Sequence, residues 1–369
     1  MRRQLIRSNR VFAAIIICVL GATPVTAQEE PVLNFYNWAD YIGETTLADF
    51  RAETGIRVNY DTYDATAVVE AKLLAGDTNY DLVLYAARYA ERLIPLGAFL
   101  PLDKSKLPSW HNLDPWALEQ LAVYDPENRY SVPYMWGTVG FAYNVRMVEE
   151  RLPNAPVRSS RMLFDPEVAQ HFSDCGISLI DEATSVIPLV LAYLGHDPLS
   201  MDLEHLREAE ETLLAVRPFV RYFSSTRMMI DLPNEDICLA MSWSGDYAQS
   251  QARANEVGKD IELAYSVPGE GTLFFFDNLL IPADAPHPEN AHRFLEFLMR
   301  PEVIAPATNL LGYANGNRAS VPLIDPAVLN DPAIYPSMEE RQHISLNRIY
   351  SPKAERLRSR LWSRVKAGL

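Results

Sequence analysis

Three short stretches of the chain bring an aromatic ring and a carboxylate together, a combination suited to holding an organic cation. They are Trp38 and Asp40 with Tyr41, Trp243 with Asp246, and Phe275 with Asp277. Tyr313, in Gly312-Tyr313-Ala314-Asn315, is a fourth candidate of the same kind. Ring faces attract a cation and cover its methylenes, while an anion anchors its ammonium. Taken singly, each pair is equally a core-edge ring beside a capping carboxylate. Asp246, for instance, is placed to cap a helix beginning at Tyr247. Their shared position at predicted strand ends favours the cation reading, because ligands of open α/β sheets bind there.

The elements that must position these residues follow from hydrophobic spacing. The alternating run 32–36 predicts a strand that delivers Trp38, and 44–53 predicts a helix stopped at Gly55. A second strand near 56–60, a helix closed by Gly76 and a nearly continuous apolar strand at 81–85 complete a β-α-β-α-β start. The aromatic stretch 130–145 reads as strands that cross between two lobes. Strands near 177–181, 220–223 and 237–241, with helices over 185–194 and 203–216, build a second lobe, and 237–241 runs into Trp243 and Asp246. Strands at 261–267 and 273–281 return to the first lobe, the latter carrying Phe275 and Asp277. A helix follows Pro288 and stops at Pro301. The expected division is 28–137 plus 266–305 for lobe 1 and 138–265 plus 306–369 for lobe 2.

Residues 1–27 read as a secretory signal. Arg2, Arg3, Arg7 and Arg10 precede an apolar run, 11–20, too short to span a bilayer as a helix, and small residues precede a cleavage point near Ala27. Ile17 before Cys18 does not suit a lipid-anchor site. Export to the periplasm is therefore expected. The chain carries a net charge of −15, and losing those four arginines makes it more negative. That argues against a nucleic-acid partner and is compatible with a cationic ligand. Cys175 and Cys238 are a candidate disulfide in an oxidising compartment, two buried thiols being the alternative.

Signals for catalysis are poor. The sequence has no G-x-S-x-G, no H-E-x-x-H, no Walker A and no G-x-G-x-x-G after a strand, and His287 and His292 are wrongly spaced for a helical metal pair. No catalytic residue, metal or cofactor is expected, and a secreted hydrolase is the weakest alternative.

The segments LNFYNWADYI, KLLAGDTNYDLVL, LDKSKLPSWHNLDP, RYSVPYMWGTVGFAYNV, NEDICLAMSWSGDYAQ and FFFDNLLIPADAP resemble the periplasmic polyamine-binding proteins of ABC transporters, most closely the putrescine-binding branch. The resemblance spans about 33–366. It implies an α/β, two-lobe periplasmic-binding fold of type II, with a hinge and an interlobe cleft. It further implies a monomer that closes on a putrescine- or spermidine-type polyamine and delivers it to a membrane permease. Asp40, Asp246 and Asp277 would hold ammonium groups. Trp38, Tyr41, Trp243, Phe275 and Tyr313 would line the methylene chain, and Cys175 and Cys238 sit where the putrescine-type proteins carry a disulfide. Four pocket positions depart from the pattern: Ala39 and Ala86 replace hydroxyl residues, Ser185 replaces a glutamate and Thr226 a serine. Losing the glutamate leaves one end of the pocket less suited to an ammonium unless Glu182 substitutes. A different or modified amine, or a sensor role on the same fold, is the alternative.

Overall fold

The computed structural model describes residues 29–369 except 64–65, 257, 343 and 349. The expected signal segment therefore lies outside the described residues. The N-terminal half-sheet is built from β1 (Val32–Trp38), α1 (Thr46–Thr54), β2 (Arg57–Tyr63), α2 (Thr66–Ala75), β3 (Leu82–Ala86) and α3 (Ala87–Leu93). β1 pairs in parallel with both β2 and β3. Gly55 ends α1 in the left-handed region, at φ 75°, with its N–H on the Arg51 carbonyl, a conformation that glycine adopts without a Cβ penalty.

The chain then enters β4 (Ser131–Asn144), a strand of 14 residues, nearly all of them buried. Both faces are covered and both edges paired, so its sequence is mostly apolar on both faces rather than alternating, with Ser131, Thr138 and Asn144 as buried polar exceptions. What 130–145 predicted as several crossing strands is this one strand. Beyond it come β5 (Ile177–Leu179), α4 (Ala183–Tyr193), α5 (Leu203–Val216), β6 (Val220–Phe223), β7 (Leu239–Trp243), α6 (Ser244–Glu256) and β8 (Leu263–Ser266). β9 (Thr272–Leu280), α7 (Pro288–Leu298), α8 (Pro301–Leu311), β10 (Ala314–Asn315) and α9 (Pro352–Ala367) complete the elements that matter for the site.

The strands run β2-β1-β3-β9-β4-β7-β5-β6 across one curled sheet. β4 changes partners midway. Its residues 131–138 pair antiparallel with β9, and 139–144 pair antiparallel with β7 and β8. One strand thus belongs to two half-sheets, and the joint between them is a continuous stretch of its backbone.

Each half-sheet has its own apolar core. The first holds Leu33, Phe35, Phe50, Leu84, Leu279, Phe294 and Ile304; the second holds Phe141, Leu179, Ile187, Leu206, Leu213, Met241 and Trp362. Trp243 packs against both. The C-terminal stretch divides differently from the expected 306–369 block. Ala307 and Leu311 of α8 pack in the first core, because only Met299 and Arg300 separate α8 from α7 and hold it there. α9 crosses back, burying Leu361, Trp362 and Val365 in the second core.

Cys175 and Cys238 form a disulfide, with Cα atoms 5.5 Å apart and a sequence separation of 63. It ties the loop before β5 to the start of β7, the two strands that pair in parallel in the second half-sheet.

Candidate functional site

Strand ends from both halves converge where β4 changes partners. Tyr41 follows β1, Asp277 lies on β9, Trp243 ends β7, Asp246 is in the first turn of α6, and Tyr313 follows the end of α8 at Gly312. Asp246 does not cap α6. The helix begins at Ser244, so the Asp246 carboxylate is already inside the first turn and is free to accept from outside it.

Two carboxylates and two phenols form a row. The Tyr313 hydroxyl donates to Asp246 Oδ1 at 2.7 Å, joining α6 to the end of α8. The Tyr41 hydroxyl donates to Asp277 Oδ2 at 3.3 Å. The two rings meet edge to face, with centroids 5.5 Å apart, so the order is Asp246, Tyr313, Tyr41, Asp277. Phe275 stands edge-on to Tyr313 at 5.8 Å. Trp38, half-buried, ends β1 with its ring 4.3 Å from Tyr63. Two glycines make room for this layer. A Cβ at Gly245 would fall within the Tyr313 ring, and one at Gly137 would lie 2.7 Å from Ser244 Oγ and 2.8 Å from the Phe275 ring.

Electrostatics sets these carboxylates apart from ordinary structural ones. Asp246 and Asp277 are 9% and 7% exposed, and neither has an ion-pair partner among the described residues. Burial pushes the Asp246 carboxyl up to about 6, against the opposing Tyr313 hydrogen bond. Burial pushes Asp277 up to about 7, against Tyr41, the Arg88 charge and the Trp38 indole, while Glu182 adds to the rise. A buried carboxylate without a counter-charge is costly, and the rise in pKa measures that cost. Burial likewise raises Tyr41 and Tyr313 well above the usual phenol range, with the neighbouring aspartates adding to it. Both therefore stay protonated and donate.

The Asp277 end of the row carries a third carboxylate that is already neutralised. Ala86 is the cross-strand partner of Asp277, and two residues later Arg88, in the first turn of α3, forms an ion pair with Glu182 at the approach to α4. Ser185 Oγ donates to Glu182 Oε2 at 2.5 Å, and the Tyr89 hydroxyl donates to Oε1 at 3.4 Å. Burial works against the Glu182 charge, but Arg88 and the serine outweigh it and hold the carboxyl below its usual value. Burial opposes the Arg88 charge too, and Glu182 overrides it, so that the guanidinium is held more firmly protonated.

Not every expected residue joins the row. Ala39 and Asp40 are exposed in the turn after β1, with Asp40 at φ 50°. That left-handed turn carries Asp40 outward and Tyr41 inward. Thr226 is exposed in the turn after β6, where its N–H donates to Ser224 Oγ. Arg88 escaped sequence reasoning altogether: nothing local marks it as a site residue, and its partner is 94 residues away. No group of three His, Cys, Asp or Glu side chains among the described residues is arranged to hold a metal ion.

Two lobes built on shared strands around an anionic, ring-walled centre define a solute-binding protein. The family model for bacterial extracellular solute-binding proteins matches residues 45–336, and the chain belongs to that family. It is 43% identical over 363 residues to the putrescine-binding periplasmic protein PotF of Escherichia coli (strain K12), covering 98% of this chain and 97% of that one. It is 39% identical to the putrescine/agmatine-binding protein of Pseudomonas aeruginosa, over 96% of this chain and 98% of the relative. Among solved structures, a putative spermidine/putrescine ABC transporter protein from Listeria monocytogenes superposes with a TM-score of 0.80 at 30% identity, covering 91% of this chain and 99% of that one.

Proposed function

We propose that this protein is a periplasmic receptor that captures a linear diamine between its lobes and delivers it to the membrane permease of an ABC transporter. One observation carries the reading: Asp246 and Asp277 are buried carboxylates with no ion-pair partner among the described residues, each aligned by a tyrosine hydroxyl, set in a row between two half-sheets. A protein that buries two uncompensated anions bears a cost that a dication removes. The rings of Trp38, Tyr41, Trp243, Phe275 and Tyr313 provide apolar faces for the methylenes and cation–π contacts, each worth about 0.5–2 kcal/mol. Each ammonium gains charge-assisted hydrogen bonds at one aspartate. No covalent step is needed, so the receptor is not an enzyme.

The same geometry couples binding to closure. Asp246 belongs to the half-sheet of β7, Asp277 to that of β9, so a ligand held by both draws the two together and favours the closed state. The names of the relatives support the amine reading and the periplasmic address. Among the described residues no helix is long and apolar enough to cross a membrane.

The test is a thermal-shift and calorimetric screen of the secreted chain against putrescine, cadaverine, agmatine, spermidine and non-amine controls. A ligand that binds only the folded state raises the midpoint by mass action. A rise with a diamine, abolished by Asp246→Ala without loss of fold, is expected. A screen in which no amine raises the midpoint would sink the reading.

A further inference from the structure

We propose that Arg88 is a specificity-determining residue: a cation built into the cleft that occupies Glu182 and makes the receptor reject triamines in favour of diamines. The inference rests on the amine reading above and extends it to chain length.

The argument begins with placement. Arg88 follows Ala86, which lies directly across the ladder from Asp277. Glu182 comes from the other half-sheet, three residues past the end of β5, whose neighbour β7 ends at Trp243. Their ion pair therefore spans the two lobes at the Asp277 end of the row. Both charges act on Asp277 through space, which places all three groups within electrostatic reach. The row thus reads Asp246, Tyr313, Tyr41, Asp277, then the Arg88–Glu182 pair.

Charge counting then decides. The row contains three carboxylates and one guanidinium, a net of two negative charges when all are ionised. A diamine matches that at Asp246 and Asp277. A triamine reaching past Asp277 would bring its third ammonium to an anion that Arg88, Ser185 and Tyr89 already satisfy, and against a guanidinium of like charge. Like charges forced together in a poorly solvated site oppose binding strongly. A guanidinium on a side chain anchored in the first turn of α3 cannot leave with the solvent as a bound sodium ion would. The pair is also shielded: the Arg88 side chain is only 11% exposed, so water and salt screen it weakly.

The experiment is calorimetric titration of the wild type, Arg88→Ala, and Arg88→Ala combined with Glu182→Gln, each against putrescine and spermidine. The readout is the ratio of the two affinities within each protein, which cancels general effects on fold or closure. The wild type is expected to prefer putrescine by a factor on the order of 100. Arg88→Ala frees Glu182 for the third ammonium, and the preference should collapse to near unity or reverse. In the double variant the anion is gone as well, so the spermidine gain should vanish; that protein leaves no charge newly unpaired where Arg88 and Glu182 met, and guards against misfolding of the single variant. An unchanged ratio in Arg88→Ala, or a wild type that binds spermidine as tightly as putrescine, overturns the role of Arg88 while leaving the receptor reading intact. A wild type that binds neither amine overturns both.

Discussion

Amine capture by this protein should fail in mild acid, and the size of the failure follows from the two aspartates. In the unliganded site Asp277 titrates near 7 and Asp246 near 6, chiefly because both are buried. A bound ammonium needs each of them ionised, and once bound it holds their pKa values far lower. Proton and ligand therefore compete. Lowering the pH from about 7.5 to about 5.5 reduces the ionised fraction of Asp277 roughly 25-fold and that of Asp246 roughly fourfold. Together the apparent affinity should fall about 100-fold, or about 2.7 kcal/mol. The ligand itself stays fully protonated across that range, so the change belongs to the receptor. The assay is titration calorimetry at several pH values in two buffers of different ionisation enthalpy, which counts protons directly. Binding should release about 0.3 proton near pH 7.5 and about 1.7 near pH 5.5. Affinity that stays flat down to pH 5.5, with no released protons, would refute the claim that two desolvated carboxylates receive the ligand.

Two further outcomes follow. The same pKa values reverse the usual effect of carboxylates on stability. Because Asp246 is raised rather than lowered, the unliganded fold binds more protons than the unfolded chain between roughly pH 4 and 6, so this group's penalty appears as pH rises through that window. Asp246→Asn should therefore stabilise the unliganded protein near pH 8, by up to about 3 kcal/mol, while destroying diamine binding; urea melts at pH 8 and calorimetry measure the two halves. Removing the Cys175–Cys238 bond, which joins residues 63 apart in sequence, should cost about 4 kcal/mol in the chain-entropy treatment, read as a lower urea midpoint of the Cys175→Ala/Cys238→Ala variant with diamine affinity retained.

Local order was legible in the sequence, and long-range register was not. Gly55 and Gly76 marked helix ends because a left-handed cap needs glycine, and the structure gives each a positive φ. The alternation of 32–36 gave β1, and the aromatic–carboxylate pairs pointed to Tyr41, Asp246 and Asp277. Asp40 lies apart from the row because composition cannot register side-chain direction within a turn: its left-handed backbone, at φ 50°, leaves it exposed. The Arg88–Glu182 pair was invisible for another reason. Glu182 was named only as a substitute anion and Arg88 has no local signature, and the contact exists only once two half-sheets are joined through β4. The expected lobe boundary at 305/306 falls inside α8, whose Ala307 and Leu311 pack in the first core, because a sequence pattern states that a segment packs, not against what.

The route of the chain also sets an order on its own synthesis. The first core is not closed until β9, α7 and α8 supply Leu279, Phe294 and Ile304, and the second waits for Leu361, Trp362 and Val365 of α9. Both halves therefore remain incomplete until the last hundred or so residues have been made. A ribosome-bound fragment ending before Thr272 has neither core sealed, however many of its helices form. Such a chain can reach neither native core before its C-terminal segment arrives, and that one segment then completes both. For the exported receptor proposed above, the late return of β9 and α9 means that the topology itself delays completion of both cores until the end of the chain.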